Sequence, residues 1–408
     1  MKALVLCGGI PQIELIKLLK GKNITVVLAD MNEKVSARAY ADVFYPVSTL
    51  DVDGIKNIAI KENVDFLITV CADQVLEVVA QISEELNLPC YIDYSTAKNV
   101  SKKSYMKKIF FENGIPTSKY VIMSKLDFNK LSELKYPLIV KPVDSYSSRG
   151  VKKVFNAEEL STAFYNAINI SRTKTAIIEE FVEGDEITVD VYVEDGQAHI
   201  LCLSNLEKIP GNEKFVIYRT TNPAQISNNT YQKIETVAQD ICTAFKLKDC
   251  PMLIQLIVSN DDISVVEFCA RTGGGDKFRL IKKVANFDVI KAVLDLSLGI
   301  KPHIENTPRC DKYIINEFLY CYPGTFDHLE GFEEALKDGY ITEFYQLKSS
   351  GTELSEVNSS GDRIAFFTVE GNNIEDVIEK HRIVNSKIKV IDQDGKDILR
   401  HDLLCTLY

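Results

Sequence analysis

Charged side chains stand in a strand-like segment directly before three glycines, in the stretch VVEFCARTGGGDKF. Successive side chains of an extended chain point to opposite faces, so Glu267, Cys269 and Arg271 share one face. Val266 and Phe268 then face the other way, and their apolar face can pack in a core. The charged face needs a chemical reason.

Gln255 supplies a partner for this charged face. It lies in the apolar stretch LIQLIV, and a five-residue loop SNDDI would set it directly opposite Glu267 in an antiparallel hairpin. An amide oxygen beside a carboxylate suits Mg²⁺ held together with nucleotide phosphates. Arg271 would reach a transferring phosphoryl group or an acyl phosphate, and the glycines 273–275 would offer N–H groups to an oxyanion. A structural salt bridge between Glu267 and Arg271 is the alternative.

Lys141 ends the apolar strand PLIVKP, next to Pro142, which cannot donate to a strand ladder. The lysine should therefore project from a strand end. The loop that follows, SYSSRG at 145–150, offers hydroxyls, N–H groups and a glycine that can close over phosphate oxygens. An ordinary solvated hairpin loop is the alternative for this segment.

Acidic residues recur in AIIEEFVEGDEITVDVYV. Alternation puts the apolar residues after Glu186 into the core and leaves Glu186, Thr188 and Asp190 on the opposite face. A carboxylate there can accept hydrogen bonds from ribose hydroxyls. The carbonyl of Glu180 and the N–H of Val182 can meet an adenine edge, although an acidic surface hairpin would show the same pattern.

Gly8 and Gly9 follow the first strand, and Asp30 ends the second. This arrangement is partly typical of a dinucleotide-binding turn, but the third glycine of GxGxxG is absent. We therefore favour a structural turn or a small-ligand turn over NAD binding.

The elements that would position these residues fall into three regions. The first hundred residues alternate strands and helices, including a helix opened by Pro11, which predicts a parallel βαβ sheet with helices on both faces. The middle region adds a lysine-rich helix, a helix near 157–170, the helix YQKIETVAQDICTAF and the hairpin. A final α+β segment from about 310 contains a helix that starts near Ile374. The fold class is α/β and α+β, in several domains.

Composition narrows the classes of partner. A chain of 408 residues suggests two or three domains. The net charge of −11 and the lack of a basic tract disfavour nucleic acid. No stretch approaches the roughly 18 apolar residues of a membrane span. The ten cysteines occur singly, as in a reduced protein, so we expect a cytoplasmic location.

The ordered set of motifs resembles the ATP-grasp superfamily, in its carbamoyl phosphate synthetase-like and L-amino acid ligase branch. The matching stretches are SKKSYMKKIFFENGIPTS, YPLIVKPVDSYSSRGVKKV, AIIEEFVEGDEITVDV and LIQLIVSNDDISVVEFCARTGGG. The resemblance implies a Rossmann-like pre-ATP-grasp domain over 1–97 and an ATP-grasp domain over 98–305 with a mobile lid at about 110–185. It further implies a C-terminal α+β domain over 306–408.

The resemblance also implies roles for individual residues. The catalytic set would be Arg271, Lys141, Gly274 and Gly275, and the metal ligands Gln255 and Glu267. The ATP-binding set would be Lys103, Lys141, Ser145, Ser147, Ser148, Gly150, Glu179, Glu180, Phe181, Val182 and Glu186.

This sequence departs from the family pattern at two metal positions. Gln255 stands where a carboxylate is usual, and Cys269 stands where the family has Asn. A neutral thiol is a poor Mg²⁺ ligand. Whether one or two Mg²⁺ ions bind, with Mn²⁺ as an accepted substitute, is therefore left open.

The resemblance implies an ATP-dependent carboxylate–amine ligase that forms an amide or dipeptide bond through an acyl phosphate, releasing ADP and phosphate. Its partners would be small-molecule carboxylates and amines, with amino acids favoured and a homodimer left open. A bicarbonate-using carboxylase-like or carbamoyl-phosphate-forming enzyme is one alternative, although the chain carries a single ATP-binding unit. A nucleotide-binding protein of weak activity is another.

The segment 204–225 offers candidates for gripping a substrate carboxylate. Lys208, Lys214 and Arg219 carry the charges, and solvated loop charges are the alternative reading.

Overall fold

The computed structural model describes residues 1–145, 149–211, 215–305 and 311–407. It contains an N-terminal parallel sheet, a small antiparallel sheet, a large antiparallel sheet and a C-terminal α+β region. The expected fold class is confirmed. Ser147 and Ser148, which we expected at the phosphate loop, lie outside the described residues, as does Lys214.

The N-terminal sheet is parallel and runs in the order β3-β2-β1-β4. Its elements are β1 (Lys2–Leu6), α1 (Ile10–Gly21), β2 (Thr25–Ala29), β3 (Val43–Tyr45), α2 (Val52–Glu62), β4 (Phe66–Ile68) and α3 (Asp73–Glu85). Apolar clusters cover both faces, one with α1 and the other with α2 and α3. The predicted βαβ pattern is confirmed, and the structure adds β3 and α2, which we did not predict.

The turn after β1 has a structural explanation. The N–H of Gly8 donates to Asp30 at 2.9 Å. A Cβ atom on Gly8 would lie 2.3 Å from a methyl carbon of Val35, so only glycine fits here. These contacts agree with the structural turn that the sequence favoured over an NAD site.

A small antiparallel sheet follows two helices. The helices are α4 (Tyr94–Ser101) and α5 (Lys103–Glu112), and the strands, in the order β5-β8-β6-β7, are β5 (Tyr120–Met123), β6 (Leu138–Pro142), β7 (Lys152–Val154) and β8 (Ala176–Glu180). Helix α6 (Ala157–Ile170) packs on this sheet and closes its apolar core. Asn156 caps α6 by accepting from the N–H of Glu159, which fixes the start of the predicted helix.

The large sheet has eight strands in the order β13-β12-β9-β10-β11-β14-β18-β16. They are β9 (Asp185–Glu194), β10 (Gln197–Lys208), β11 (Ile217–Asn222), β12 (Cys250–Ser259), β13 (Asp262–Cys269), β14 (Tyr313–Leu319), β16 (Glu343–Gln346) and β18 (Ala365–Gly371). Because β11 pairs with β14, one continuous sheet joins the middle of the chain to its C-terminal region.

Helices cover both faces of this sheet. The helix α7 (Asn228–Ala244) packs with α4 and α5 on one face, and α8 (Lys277–Ala285) and α9 (Val289–Ser297) pack on the other. The apolar residues of β9 that we predicted in the core, such as Ile187 and Val189, are fully buried. Thr188 and Asp190 are also buried, because α8 and α9 cover their face.

The C-terminal region adds a second, three-stranded sheet in the order β17-β15-β19. Its elements are β15 (Gly324–Glu330), α10 (Phe332–Lys337), β17 (Glu353–Leu354), α11 (Ile374–Lys387), β19 (Lys389–Asp392) and α12 (His401–Leu404). Asn373 caps α11, so the predicted helix start near Ile374 is confirmed. Within the described part of the chain, none of the helices combines the length and the apolar character that a membrane span needs.

Candidate active site

The β12–β13 hairpin places Gln255 directly opposite Glu267, as predicted. The predicted five-residue loop is wrong. The strands are joined by Asn260 and Asp261 alone, whose φ angles of 50° and 67° suit a tight hairpin turn. A bulge shifts the pairing by one residue next to Gln255, and this shift restores the expected partner.

The bulge also changes which residue faces the core. Val265, not Val266, is fully buried with Phe268 in the core between the sheet and α5. Val266 is the extra residue of the bulge and lines the cleft beside Glu267. The prediction that Val266 faces the core is therefore wrong, because simple alternation does not hold across a bulge.

A cleft between the small sheet and the large sheet gathers most of the predicted ATP-binding and metal residues. Those that line it are Lys103, Lys141, Ser145, Glu179, Glu180, Phe181, Val182, Glu186, Gln255 and Glu267. Lys103, Ser145 and Glu267 also line an adjoining cavity, which reaches Arg271 and Asp73. Four separated parts of the sequence thus meet in one place, namely Lys103, residues 141–145, residues 179–186 and the hairpin with Gln255 and Glu267. Arg271 lies at the far end of the adjoining cavity.

Lys103 begins α5 and points at the hairpin. Its Nζ lies 2.8 Å from a carboxylate oxygen of Glu267 and donates to the carbonyl of Ser145 at 3.2 Å. Burial opposes the charge on Lys103, but the Glu267 carboxylate outweighs it and raises the pKa of this lysine. The predicted phosphate binder and the predicted metal ligand therefore neutralise each other here.

Lys141 and Lys107 share one buried carboxylate. Glu179 pairs with Lys141 and lies 2.9 Å from Nζ of Lys107. Burial alone would raise the pKa of Glu179, but Lys141 and then Lys107 outweigh it and lower the pKa to about 2. Sequence reasoning placed Glu179 with the adenine-contacting linker, whereas its side chain lies between the lysines. It missed Lys107, whose one signal was its position one helical turn after Lys103.

Arg271 is held by Asp73, the first residue of α3. Its Nε and Nη2 donate to the two carboxylate oxygens of Asp73, and its Nη1 donates to the carbonyl of Thr272 at 2.6 Å. The alternative of a Glu267–Arg271 salt bridge is wrong, because each pairs with another residue. A guanidinium has five N–H groups, so part of Arg271 is left to bind a ligand.

Cys269 lies beside the Asp73 carboxylate. Burial raises the pKa of the Cys269 thiol well above its ordinary value, so the sulfur stays protonated. Among the described residues, no three His, Cys, Asp or Glu side chains come together as a metal site. The hard oxygens of Gln255 and Glu267 fit Mg²⁺ as a partial site, which nucleotide phosphates and water would complete.

The other end of the cleft is aromatic and carries a further ion pair, between Glu186 and Lys208. Nζ of Lys153 lies 3.4 Å from the centre of the Phe181 ring. Glu186 pairs with Lys208 and accepts from Nε2 of Gln255 at 3.4 Å. Glu186 thus connects Gln255, one of the two predicted metal ligands, to the end of the cleft where Val182 lies. A flat apolar surface beside a carboxylate suits a base and its ribose.

The phosphate loop is described at its two ends. Ser145 donates to the carbonyl of Arg149 at 2.7 Å, which closes the loop on itself. Gly150 has a φ of 79°, and a Cβ there would lie 2.7 Å from Ile170 of α6. Gly150 is therefore required by backbone conformation and by packing.

The glycines after Arg271 differ in their surroundings. A Cβ on Gly273 would lie 3.0 Å from Lys277, and Gly275 has a φ of 68°. A Cβ on Gly274 would meet no atom of the described residues within 4 Å. Open space beside Gly274 would let a ligand approach the backbone closely.

The segment 204–225 is mostly strand β10 and strand β11. Arg219 is fully buried between Glu317 and Glu207, at 2.6 Å and 3.0 Å. It also donates to the carbonyls of Leu403 and Leu404. The prediction that Arg219 grips a substrate carboxylate is wrong, because none of its surface is accessible.

Comparison with known proteins agrees with this geometry. Residues 134–278 match the ATP-grasp domain model. The chain contains an ATP-grasp domain. The expected superfamily is confirmed, and the cleft just described lies within and around this ATP-grasp domain. Residues 317–391 match L-amino acid ligase C-terminal domain 2, which confirms the expected branch.

Two relatives and one solved structure share more of the chain. The phosphoribosylamine–glycine ligase of Lactococcus lactis subsp. lactis is 23% identical over 321 residues, 74% of each chain. The L-arginine-specific L-amino acid ligase of Bacillus subtilis is 23% identical over 298 residues, 69% of this chain and 70% of the relative. An L-amino acid ligase from Bacillus licheniformis has a TM-score of 0.81 at 20% identity, over 96% of this chain and 98% of that chain. All three are ligases by name, as expected for an ATP-grasp domain of this branch.

Proposed function

We propose that this chain is an ATP-dependent carboxylate–amine ligase that forms an amide or dipeptide bond through an acyl phosphate. The observation that carries the proposal is the meeting of Lys103 and Lys141 with the Gln255–Glu267 pair in one cleft. The match of residues 317–391 to an L-amino acid ligase domain supports an amino acid as one substrate.

The reaction has two balanced steps. A carboxylate oxygen attacks the γ-phosphorus of ATP, the bond from phosphorus to the β–γ bridging oxygen breaks, and ADP leaves. The amine nitrogen then attacks the acyl carbon, the carbon–oxygen bond to phosphate breaks, and the nitrogen loses a proton. Both steps bring anions together, so catalysis requires positioning and the neutralisation of charge.

The residues of the cleft are suited to that neutralisation. Lys103 and Lys141 would bind phosphate oxygens, and each has a carboxylate partner whose place a phosphate can take. Glu267 and Gln255 would hold Mg²⁺, which supplies positive charge next to the phosphates when bound. Separation of Lys103 from Glu267 thus frees one cation and one anion, each for a ligand of opposite charge.

The remaining groups would hold the reacting end. Arg271 keeps N–H groups for the carboxylate or the acyl phosphate, and Asp73 fixes the orientation of its guanidinium. The open backbone at Gly274 would accept the oxyanion that forms when the amine attacks. Phe181, Val182 and Glu186 would bind the adenosine.

The test is an assay of ADP and phosphate release with Mg²⁺-ATP and a panel of amino-acid pairs, and separately with bicarbonate. Hydroxylamine added with one carboxylate traps an acyl phosphate as a hydroxamate. We expect release of ADP that requires a carboxylate and an amine, and hydroxamate when hydroxylamine replaces the amine.

The other outcomes would overturn the proposal. ADP release that depends on bicarbonate and on no amino acid would indicate the carboxylase-like alternative. Binding of ATP without turnover over the whole panel would indicate the nucleotide-binding protein. Glu267→Gln serves as the matched control for ADP release by this cleft, since it keeps the shape of the side chain and removes its charge.

A further inference from the structure

One arginine of the C-terminal region, Arg363, lies close to the glycine-rich loop. Arg363 lies just before β18, after a short 3₁₀ helix at Ser360–Asp362. A Cβ atom built on Gly275 would lie 3.7 Å from Nη1 of Arg363 and 3.8 Å from the ring of Phe318. Arg363 therefore approaches, from another part of the chain, the loop that begins at Arg271.

Three contacts fix the orientation of this guanidinium. Its Nε donates to the hydroxyl of Tyr320 at 3.1 Å, and its Nη2 donates to the carbonyl of Ile217 at 3.2 Å. The carbon at its centre lies 3.7 Å from the centre of the Phe318 ring. Ile217 itself lines the nucleotide cleft, so the arginine is anchored to the wall of the site.

Arg363 differs from two neighbouring arginines in its ion pairs within the described part of the chain. No carboxylate of the described residues forms an ion pair with it, whereas Arg271 pairs with Asp73 and Arg279 pairs with Asp276. Among the described residues, the hydrogen bonds of Arg363 use Nε and Nη2, and none uses Nη1. One edge of a partly buried, oriented cation thus faces the loop with its charge unmatched.

We propose that Arg363 binds the carboxylate of the amine substrate, so that the acceptor is an amino acid or another amine that carries an acid group. The inference rests on the proposed ligase function and makes it more specific. Arg271 stands directly before the glycine loop in the sequence, and Arg363 approaches the same loop from the C-terminal region. The first would hold the activated carboxylate, and the second the acid group of the acceptor, whose amine then lies near the acyl carbon.

Physical chemistry favours this assignment over a purely structural role. An arginine–carboxylate pair is strongest where the arginine is pre-oriented and partly removed from water, and Tyr320 and Phe318 provide both conditions. Such a site also discriminates, because an acceptor without the acid group would leave the cation unpaired.

Hydroxylamine separates the two roles, since it is an amine without a carboxylate. The variant is Arg363→Met, with Arg363→Lys as the conservative variant. Arg382→Met is the matched control, because Arg382 lies on the exposed surface of α11 in the same region. Each is assayed for ADP release with an amino acid acceptor, with the carboxamide of that acceptor, and with hydroxylamine.

We expect Arg363→Met to raise KM for the amino acid acceptor about tenfold or more. The rate of hydroxamate formation and the KM for ATP should stay within about twofold of the wild type, as for Arg382→Met. Preference for the acceptor over its carboxamide should fall, and Arg363→Lys should recover part of it.

Three outcomes would overturn the inference. An unchanged KM for the acceptor would exclude the contact, and equal losses with hydroxylamine and with the amino acid would indicate a structural role. Failure of the wild type to form hydroxamate with any carboxylate would instead refute the ligase proposal, and this inference with it.

Discussion

At the scale of single residues, four cations of the cleft and its adjoining cavity each have a carboxylate of the same chain as partner. The pairs are Lys103–Glu267, Lys141–Glu179, Arg271–Asp73 and Lys208–Glu186. The pairs differ in burial: the side chain of Glu179 is 7% exposed, and that of Glu267 is 34% exposed. Removal of a cation therefore has different consequences at the two positions.

The first prediction separates stability from activity at Lys141. Lys141→Met should lower the free energy of unfolding by roughly 3 kcal/mol, because it leaves the buried Glu179 with Lys107 alone. The double variant Lys141→Met/Glu179→Gln should recover most of that stability and none of the turnover. Urea unfolding and ADP release, measured on both variants, check the prediction.

Glu267→Gln is the control for this experiment. Turnover should fall by about a hundredfold or more, because the variant removes the charge of a proposed Mg²⁺ ligand. The unfolding free energy should change by less than about 1 kcal/mol, because the side chain is partly exposed. If the double variant stayed as unstable as Lys141→Met, or if it regained turnover, the two roles of Lys141 would not be separable.

The second prediction concerns acid. The pKa of Glu179 falls from 4.5 to about 2 on folding, since the two lysines outweigh burial. A lowered acid pKa stabilises the folded state fully above the unfolded value of 4.5 and loses that contribution as the pH falls towards 2. Unfolding free energy should therefore drop between about pH 5 and pH 3, and less in Lys141→Met/Glu179→Gln. The unfolding free energy is measured by urea titration at each pH. An equal dependence of this free energy on pH in the wild type and the double variant would contradict the prediction.

Sequence alone indicated Lys141, Glu267 and Arg271, because each stands at a fixed place relative to an apolar strand. It did not indicate Asp73, which meets Arg271 across 198 residues of sequence. Asp73 looks like an ordinary acidic residue in the first turn of a helix. Its role depends on how α3 docks against the large sheet, and no local pattern encodes that docking.

At the scale of elements, the glycine loop after Arg271 offers a matched pair of substitutions. The methyl group of Gly274→Ala would contact none of the described residues, so the unfolding free energy should stay within about 0.5 kcal/mol of the wild type while turnover falls. Gly275→Ala should cost about 1 to 2 kcal/mol, because its φ of 68° is left-handed. Thermal unfolding and ADP release check both variants. Full turnover in Gly274→Ala would show that no substrate uses that space.

Elements also show where pattern reading stops. Most of the apolar strands and amphipathic helices lie where the sequence predicted them, and α11 starts at the predicted residue, Ile374. The strands β10 and β11 were missed because β10 ends at Lys208 and β11 carries Arg219 in its middle, and both residues look like loop charges. Val266 was misplaced because a bulge is a property of two paired strands, and the sequence of one strand does not reveal it.

At the scale of the whole molecule, the large sheet joins the ATP-grasp domain to the C-terminal region through β11 and β14. Arg219 lies at this junction and contacts three parts of the chain: Glu207 on β10, Glu317 on β14, and the backbone carbonyls of Leu403 and Leu404 in α12. Nε2 of His381 lies 3.1 Å from a carboxylate oxygen of Glu317 and donates to it in the tautomer that carries the proton on that nitrogen. A buried network of this kind couples the stability of its members.

The last prediction tests that coupling. Arg219→Met should lower the free energy of unfolding by roughly 3 kcal/mol or more, because Glu317 is fully buried and would lose its strongest partner. Since Arg363 reaches the glycine loop from the same C-terminal region, loosening the junction should also weaken use of the acceptor amine before it weakens hydroxamate formation. Calorimetry measures the stability, and the assays with the amino acid acceptor and with hydroxylamine measure the activity. Arg382→Met removes an exposed ion pair on α11 and should change neither the stability nor the acceptor kinetics. A stable Arg219→Met protein with normal acceptor kinetics would mean that the C-terminal region holds its place without this junction.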